Sequence, residues 1–244
     1  MISKNRKKKE EQQEEQQDQQ DDQPLKIEAL EEEGINPSDI NKLKREGYHT
    51  VISVLMTVKK NLCKIKGLSE PKVDKIIEAA LKVGEIGFTN GLELLQKREK
   101  LLKITTGSSK LDALLQGGIE SMSITEIFGE FRTGKTQLCH TLAVTAQLPK
   151  ENGGGGGKVI YIDSEGTFRP QKIAKIAERY DLDPQEVLQN IIYARVYTTE
   201  IQDNILMLAT AQMINEPFSL IIVDSIMALF RVDYTGRGQL SERQ

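Results

Sequence analysis

The eight residues Gly129-Glu130-Phe131-Arg132-Thr133-Gly134-Lys135-Thr136 satisfy the pattern G-x-x-x-x-G-K-[ST] at every constrained position. An apolar stretch, residues 124–128, runs into them, and the spacing predicts a strand there and a helix over 136–147. A chain built this way is committed to an α/β core, because the strand must deliver a tight turn whose backbone N–H groups converge on an anion. The following helix then points its positive dipole end at the same place. Lys135 is suited to neutralise β- and γ-phosphates, and the Thr136 hydroxyl to ligate Mg2+. The pattern implies a nucleoside triphosphate site.

Phe218-Ser219-Leu220-Ile221-Ile222-Val223-Asp224 is an apolar run of strand length that ends in an acid. Such a run suits a parallel strand covered on both faces, with Asp224 at the mouth of the sheet holding Mg2+ through water. Another strand is expected over Lys158-Val159-Ile160-Tyr161-Ile162-Asp163, followed by Ser164-Glu165-Gly166-Thr167-Phe168-Arg169-Pro170. Hydrolysis needs a group that orients or deprotonates the attacking water. Glu165, just past the strand end, is the first candidate. Asp163 is the second, although its place inside the strand favours a structural or hydrogen-bonding role.

The rest of the chain is less specific. Two cysteines, Cys63 and Cys139, fall in different predicted domains, which argues against a disulfide framework and for a reducing compartment. No apolar stretch approaches the ~20 residues of a membrane span, so no membrane partner is expected. His49 and His140 lie far apart and read as structural. The net charge of −3 does not advertise nucleic-acid binding, so any DNA affinity has to come from local clusters.

Along the chain, residues 1–23 pass from a basic block (Lys4, Arg6, Lys7, Lys8, Lys9) into a Glu/Gln/Asp tract. That composition cannot bury enough surface to offset ordering entropy, and it reads as a disordered tail. The basic block fits a nuclear import signal or a solvated charge run. Residues 24–83 read as a small all-helical domain: Asn36 and Pro37 start a helix that ends before Gly47, and helices over 57–64 and 69–83 flank Ile65-Lys66-Gly67-Leu68-Ser69. This resembles a helix-hairpin-helix, whose hairpin N–H groups meet a phosphate; a plain bundle turn is the alternative, since Ser69 takes the usual second-glycine position. Residues 84–103 form a linker in which Phe88 is flanked by glycines, packing either on its own bundle or into another subunit.

The core over 104–244 alternates strand and helix, with further helices over 170–180 and 199–215, which implies a parallel sheet. The glycines of 153–157 read as a flexible surface loop. After Asp224, Arg231, Arg237 and Arg243 recur at six-residue spacing around Gly236 and Gly238. A mobile loop of this kind suits either phosphate-backbone contacts or plain solvation.

Taken together, Gly129–Thr136, the Asp163–Pro170 segment, residues 220–229 and residues 231–244 resemble the eukaryotic RecA-like DNA strand-exchange recombinases, from Leu25 onward. Ile119-Glu120-Ser121-Met122 and Met227-Ala228-Leu229-Phe230-Arg231-Val232-Asp233 resemble the meiosis-specific branch, while Tyr234 and Ser241 lean the other way. The resemblance implies a RecA-like P-loop ATPase core preceded by a helical domain. It implies ATP and Mg2+ as cofactors and a homo-oligomeric filament on single-stranded DNA that pairs with double-stranded DNA. A nuclear location, other recombination proteins as partners, and work in meiotic recombination and double-strand break repair come with it.

The resemblance assigns Phe88 as the polymerisation anchor, with Gly91 where the family carries alanine. Lys172 stands at an adenine-stacking position where the mitotic branch has arginine. Arg132, Arg231, Arg237 and Arg243 match DNA-contacting positions. The family continues past the point where this sequence stops, so the chain is expected to be C-terminally incomplete. A second reading is an ATP-binding truncated paralogue that docks through Phe88 and caps or regulates filaments. A third, a phosphotransferase on a small acceptor, is disfavoured because no arginine-rich lid interrupts the core.

Overall fold

A computed structural model describes residues 24–84, 87–234, 236–239 and 241. The expected tail over 1–23 lies outside the described residues. The chain divides into two compact units, one reaching to Phe88 and the other beginning at Thr89.

The first unit is helical. A 3-10 turn over Ile27–Glu31 precedes α1 (Pro37–Arg45), α2 (Val51–Leu55), α3 (Lys59–Leu62) and α4 (Glu70–Val83). Asn36 caps α1 by accepting from the Ser38 N–H, and Pro37 sits where a missing N–H costs nothing. Thr50 and Ser53 form a capping box at α2. Apolar residues one helical turn apart meet in a single core of Ile27, Leu30, Ile40, Leu43, Val54, Leu62, Val73 and Ile76. Burying each such side chain contributes about 1.5–3 kcal/mol. The buried Asp39 receives Lys42 and Lys72, and Lys42 also donates to the Gly67 carbonyl in the turn between α3 and α4. One carboxylate thereby fixes the hairpin. The helix expected over 57–64 is only the four residues of α3.

The second unit opens with α5 (Gly91–Glu99), which buries none of its side chains, and a two-stranded antiparallel pair, β1 (Lys103–Ile104) with β2 (Ile119–Glu120), around α6 (Ser109–Leu114). Then follow α7 (Lys135–Thr145), β3 (Lys158–Asp163), α8 (Pro170–Arg179), α9 (Pro184–Gln189), β4 (Ile191–Arg195), α10 (Thr199–Met213), β5 (Phe218–Asp224) and α11 (Ala228–Asp233). The three long strands form a parallel sheet in the order β4-β3-β5. Successive side chains of β3 go to opposite faces. Val159 and Tyr161 join a core with α7, α8 and α9, while Ile160 and Ile162 join one with α10 and α11. Both faces are covered, which is why β3 reads as an unbroken apolar run.

Three expectations need correction. Residues 124–128 are irregular rather than a strand, with Ile124 99% and Phe128 88% exposed. A strand exists only where a neighbour completes its ladder, and the described residues give this segment none. The outer edge of β5 is likewise unpaired among the described residues. Second, the 153–157 loop is packed rather than loose. Gly155 and Gly156 donate to the Ala146 and Leu148 carbonyls, and a Cβ on Gly154 would stand 2.0 Å from the Leu148 oxygen. The glycines are there for close backbone approach. Third, residues 228–233, expected within a mobile loop from Phe230 onward, form α11. The Asp233 carboxylate accepts from both the N–H and the hydroxyl of Thr199, at 2.9 Å each, and ties α11 to the start of α10.

Candidate nucleotide-binding site

The glycine-lysine loop ends at Gly134, whose φ of 98° no side-chain-bearing residue adopts without strain and whose missing Cβ faces open space. Gly134 is the N-cap of α7, and among the described residues no side chain caps the helix there. The first-turn N–H groups of an eleven-residue helix are therefore free to meet an anion, which is the donor set a phosphate requires. Lys135 Nζ donates to the carbonyls of Gly129 at 2.9 Å and Glu130 at 2.8 Å, so its ammonium is folded inside the loop. Thr133 Oγ1 also donates to the Glu130 carbonyl. Arg132 has a positive φ of 67° and lies over the Phe131 ring at 5.2 Å, both side chains exposed. Thr136 follows in the first turn of α7.

Asp224 closes β5 and is 8% exposed. Tyr161, fully buried in the neighbouring β3, donates its hydroxyl to Asp224 Oδ2 at 3.1 Å. Among the described residues no other hydrogen bond reaches that carboxylate. Asp224 also lies close to α7. Burial, and then the Asp224 charge, pushes the Cys139 thiol up to about 12. The same two causes, burial first, raise the Tyr161 phenol far above its ordinary value. A hard divalent cation takes oxygen ligands. The Thr136 hydroxyl and the Asp224 carboxylate are both oxygen donors, and among the described residues one Asp224 oxygen is committed to Tyr161 and the other uncommitted.

Asp163, one residue before Ser164, is fully buried and structural. Its carboxylate accepts backbone N–H bonds from Glu165, Gly166, Thr167 and Phe168, and further bonds from Tyr193 Oη and the Arg195 guanidinium. Burial alone raises its pKa, but these donors outweigh burial and hold it below the usual carboxylate value. Glu165, by contrast, is exposed on the turn that Asp163 builds. The two acids are thus separated into one that shapes the loop and one that faces solvent. Lys172, on α8, donates to Gln137 Oε1 at 3.1 Å and so stands beside the first turn of α7.

His140 is buried with Nε2 accepting from the Arg169 N–H at 3.3 Å, while Nδ1 has no partner among the described residues. Burial, followed by the Lys172 charge, lowers its pKa. Its ring stacks on Tyr161 at 5.9 Å, and Phe168 packs against Tyr161 at 4.8 Å. Sequence reading passed over Tyr161. The available signal was a lone phenol inside an apolar strand, since a buried Tyr hydroxyl needs a hydrogen-bond partner.

The candidate DNA-contacting arginines after β5 are only partly within the described residues. Arg231 is exposed on α11, Arg237 lies in a 3-10 turn over Arg237–Gln239, and Arg243 falls outside the described residues. Phe88 is fully exposed.

Residues 97–244 match the Rad51 family, and residues 28–82 match the SAM-like helix-hairpin-helix tandem. The chain is 59% identical over 218 residues to a meiotic recombination protein DMC1 homolog of Arabidopsis thaliana, covering 89% of this chain and 63% of that protein. Similar figures hold for the DMC1 homolog of Lilium longiflorum, at 57% over 89% of this chain and 62% of that one, and for DMC1 homolog A of Oryza sativa subsp. japonica, at 58%, 89% and 63%. The chain thus spans somewhat under two thirds of the length of these relatives.

Proposed function

The chain belongs to the Rad51 family, and from that premise we propose that it is an ATP-dependent DNA recombinase of the meiotic branch. In this reading it forms filaments on single-stranded DNA, pairs them with homologous duplex and exchanges strands in the nucleus, in meiotic recombination and double-strand break repair. The observation that carries the reading is the uncapped start of α7, with Lys135 and Thr136 in its first turn and Asp224 alongside the same helix. Similarity to proteins named for meiotic recombination supports the branch.

Each residue then has a definite task. The N–H groups of Gly129, Glu130, Phe131, Arg132, Thr133 and Gly134 and the first turn of α7 bind the phosphates, and the Lys135 ammonium neutralises them. Thr136 and Asp224 would hold Mg2+, which would supply charge neutralisation to the phosphates. Glu165 orients the attacking water and takes its proton, while Asp163 keeps the turn that presents Glu165 in shape. Lys172 lies beside the nucleotide. Arg132, Arg231, Arg237 and Arg243 meet the DNA backbone without reading sequence. Phe88 anchors one copy on the next, and the outer edge of β4, unpaired among the described residues, offers backbone groups to an extended segment of a second copy.

A second reading is favoured by one observation. Among the described residues, 124–128 and the outer edge of β5 are both unpaired, and both are partly apolar. A chain left in that state suits an ATP-binding protein that docks on recombinase filaments and caps or regulates them. Turnover of ATP measured with and without single-stranded DNA separates the two. DNA-stimulated hydrolysis together with joint-molecule formation supports the recombinase. Nucleotide binding without turnover, with altered length of filaments made by a full-length relative, supports the regulator.

A further inference from the structure

We propose that Tyr161 is a positioning residue for the metal-bearing carboxylate of Asp224, so that the affinity of the site for a divalent cation depends on its hydroxyl. The inference rests on the nucleotide-site reading above and adds a residue to it.

The geometry comes from the sheet. In the β3–β5 register Tyr161 lies opposite Ile222 and Asp163 opposite Asp224. Tyr161 and Asp224 are therefore diagonal neighbours across one strand pair, within reach of a long side chain. The phenol reaches Asp224 Oδ2 at 3.1 Å, and it does so from a rigid mount. His140 stacks against the Tyr161 ring with planes inclined by 20°, and Phe168 closes on it at a centroid separation of 4.8 Å. The ring has no measurable exposure. A hydroxyl carried on such a ring cannot follow the carboxylate; the carboxylate must take the orientation that the hydroxyl dictates.

That orientation leaves Oδ1 without a hydrogen bond among the described residues, while the backbone carbonyl of Asp224 accepts from the Ser164 N–H at 2.9 Å. Both ends of the residue are thus fixed by β3 or the residue after it, and one carboxylate oxygen is reserved. Hydrogen-bond partners that orient a metal-bearing ligand commonly tune metal affinity by about 10–100-fold. A purely space-filling role for Tyr161 predicts instead that the ring alone matters.

The test compares the 244-residue wild-type chain with Tyr161→Phe, which keeps the ring, by titrating Mn2+ in the presence of a non-hydrolysable ATP analogue and reading free Mn2+ by electron paramagnetic resonance. The expected result is a Kd for Mn2+ about 10-fold weaker in Tyr161→Phe, with metal-free analogue binding unchanged. In an Asp224→Asn background the same change should produce no further loss. Equal Mn2+ affinity in wild type and Tyr161→Phe overturns the proposal alone, as does an undiminished effect of Tyr161→Phe when Asp224 is already Asn. A wild-type chain that binds neither analogue nor Mn2+ overturns the nucleotide-site reading and this inference with it.

A second measurement needs no change at Tyr161. In wild-type protein labelled with 3-fluorotyrosine, with lines assigned by replacing the other tyrosines one at a time, Mn2+ and the analogue together should broaden the Tyr161 fluorine resonance beyond detection. A sharp Tyr161 line at saturating Mn2+ overturns the proposal.

Discussion

Ser164 Oγ accepts a hydrogen bond from the Ser225 N–H at 2.8 Å and donates one to the Ser225 carbonyl at 2.7 Å. One hydroxyl thus clamps the residue after β3 to the residue after β5. The clamp joins the turn carrying Glu165 to the chain carrying Asp224, and sets the spacing between the candidate water-orienting group and the candidate metal ligand. Ser164→Ala leaves a partly buried N–H and carbonyl without that partner. The expected cost is about 1–3 kcal/mol in denaturant unfolding, and ATP turnover should fall more than ATP binding. Unchanged stability and turnover in Ser164→Ala would show that the two strand ends are held apart from this contact.

Lys135 is expected to separate binding from hydrolysis. Its ammonium lies inside the loop against the Gly129 and Glu130 carbonyls, and a guanidinium restores the charge with a different shape and reach. Lys135→Ala should abolish useful nucleotide binding, whereas Lys135→Arg should retain binding and lose most hydrolysis. Analogue binding by fluorescence and phosphate release measure the two separately; wild-type hydrolysis in Lys135→Ala rules out the assignment.

Asp163 makes a pH prediction whose sign follows from its environment. Its folded pKa lies below the ordinary value of 3.8, because four backbone N–H groups and two side chains favour the ionised form despite burial. A depressed carboxylate contributes stability that is present above its unfolded pKa and is lost as pH falls from there through the folded value. Asp163→Asn should therefore destabilise the protein on the order of 3 kcal/mol at neutral pH, and flatten the loss of stability below about pH 4. Urea unfolding at a series of pH values checks it, and an acid limb as steep in Asp163→Asn as in wild type contradicts the role given to this group.

How much of this was legible in the sequence depends on what each element needs from elsewhere. The loop at Gly129–Thr136, Asp224, the strand ends and the cap of α1 are local signals, carried by residues within a turn of one another. Residues 124–128 are rich in apolar side chains, as β3 is, and yet form no strand, because a strand is defined by its neighbour. The glycines of 153–157 looked like slack for the same reason: only the packed structure shows the Leu148 oxygen at which a side chain would collide. The lone phenol of Tyr161 was a signal, but its partner Asp224 and the Ser164–Ser225 clamp were invisible because each contact joins residues about sixty positions apart. Arg231 lies on a helix rather than in a loop because Asp233 is fastened to Thr199, a contact no local pattern announces.

The arginines after β5 are expected to act through charge. Replacing Arg231, Arg237 and Arg243 together should weaken single-stranded DNA binding uniformly across sequences and reduce the salt slope by roughly two to three units, since each backbone contact releases counterions. Fluorescence anisotropy over a salt series reads the slope. An unchanged slope in the triple variant returns these residues to ordinary solvation.

Phe88 tests assembly without touching the chemistry. The ring is fully exposed, and Gly87 and Thr89 on either side of it are in neither helix nor strand. An aromatic ring held in water has nothing to stabilise it until it finds a pocket, and a buried anchor at the centre of a small interface contributes about 2–4 kcal/mol. That corresponds to a shift of roughly 30- to 1,000-fold in the association constant at about 1.4 kcal/mol per tenfold. Phe88→Glu should accordingly convert oligomers to monomers over the concentration range where the wild type assembles. Its thermal unfolding should not change, because the side chain supports neither compact unit. Sedimentation velocity decides the matter: the same oligomer distribution in both proteins means that the ring packs elsewhere and that assembly, if any, uses another surface.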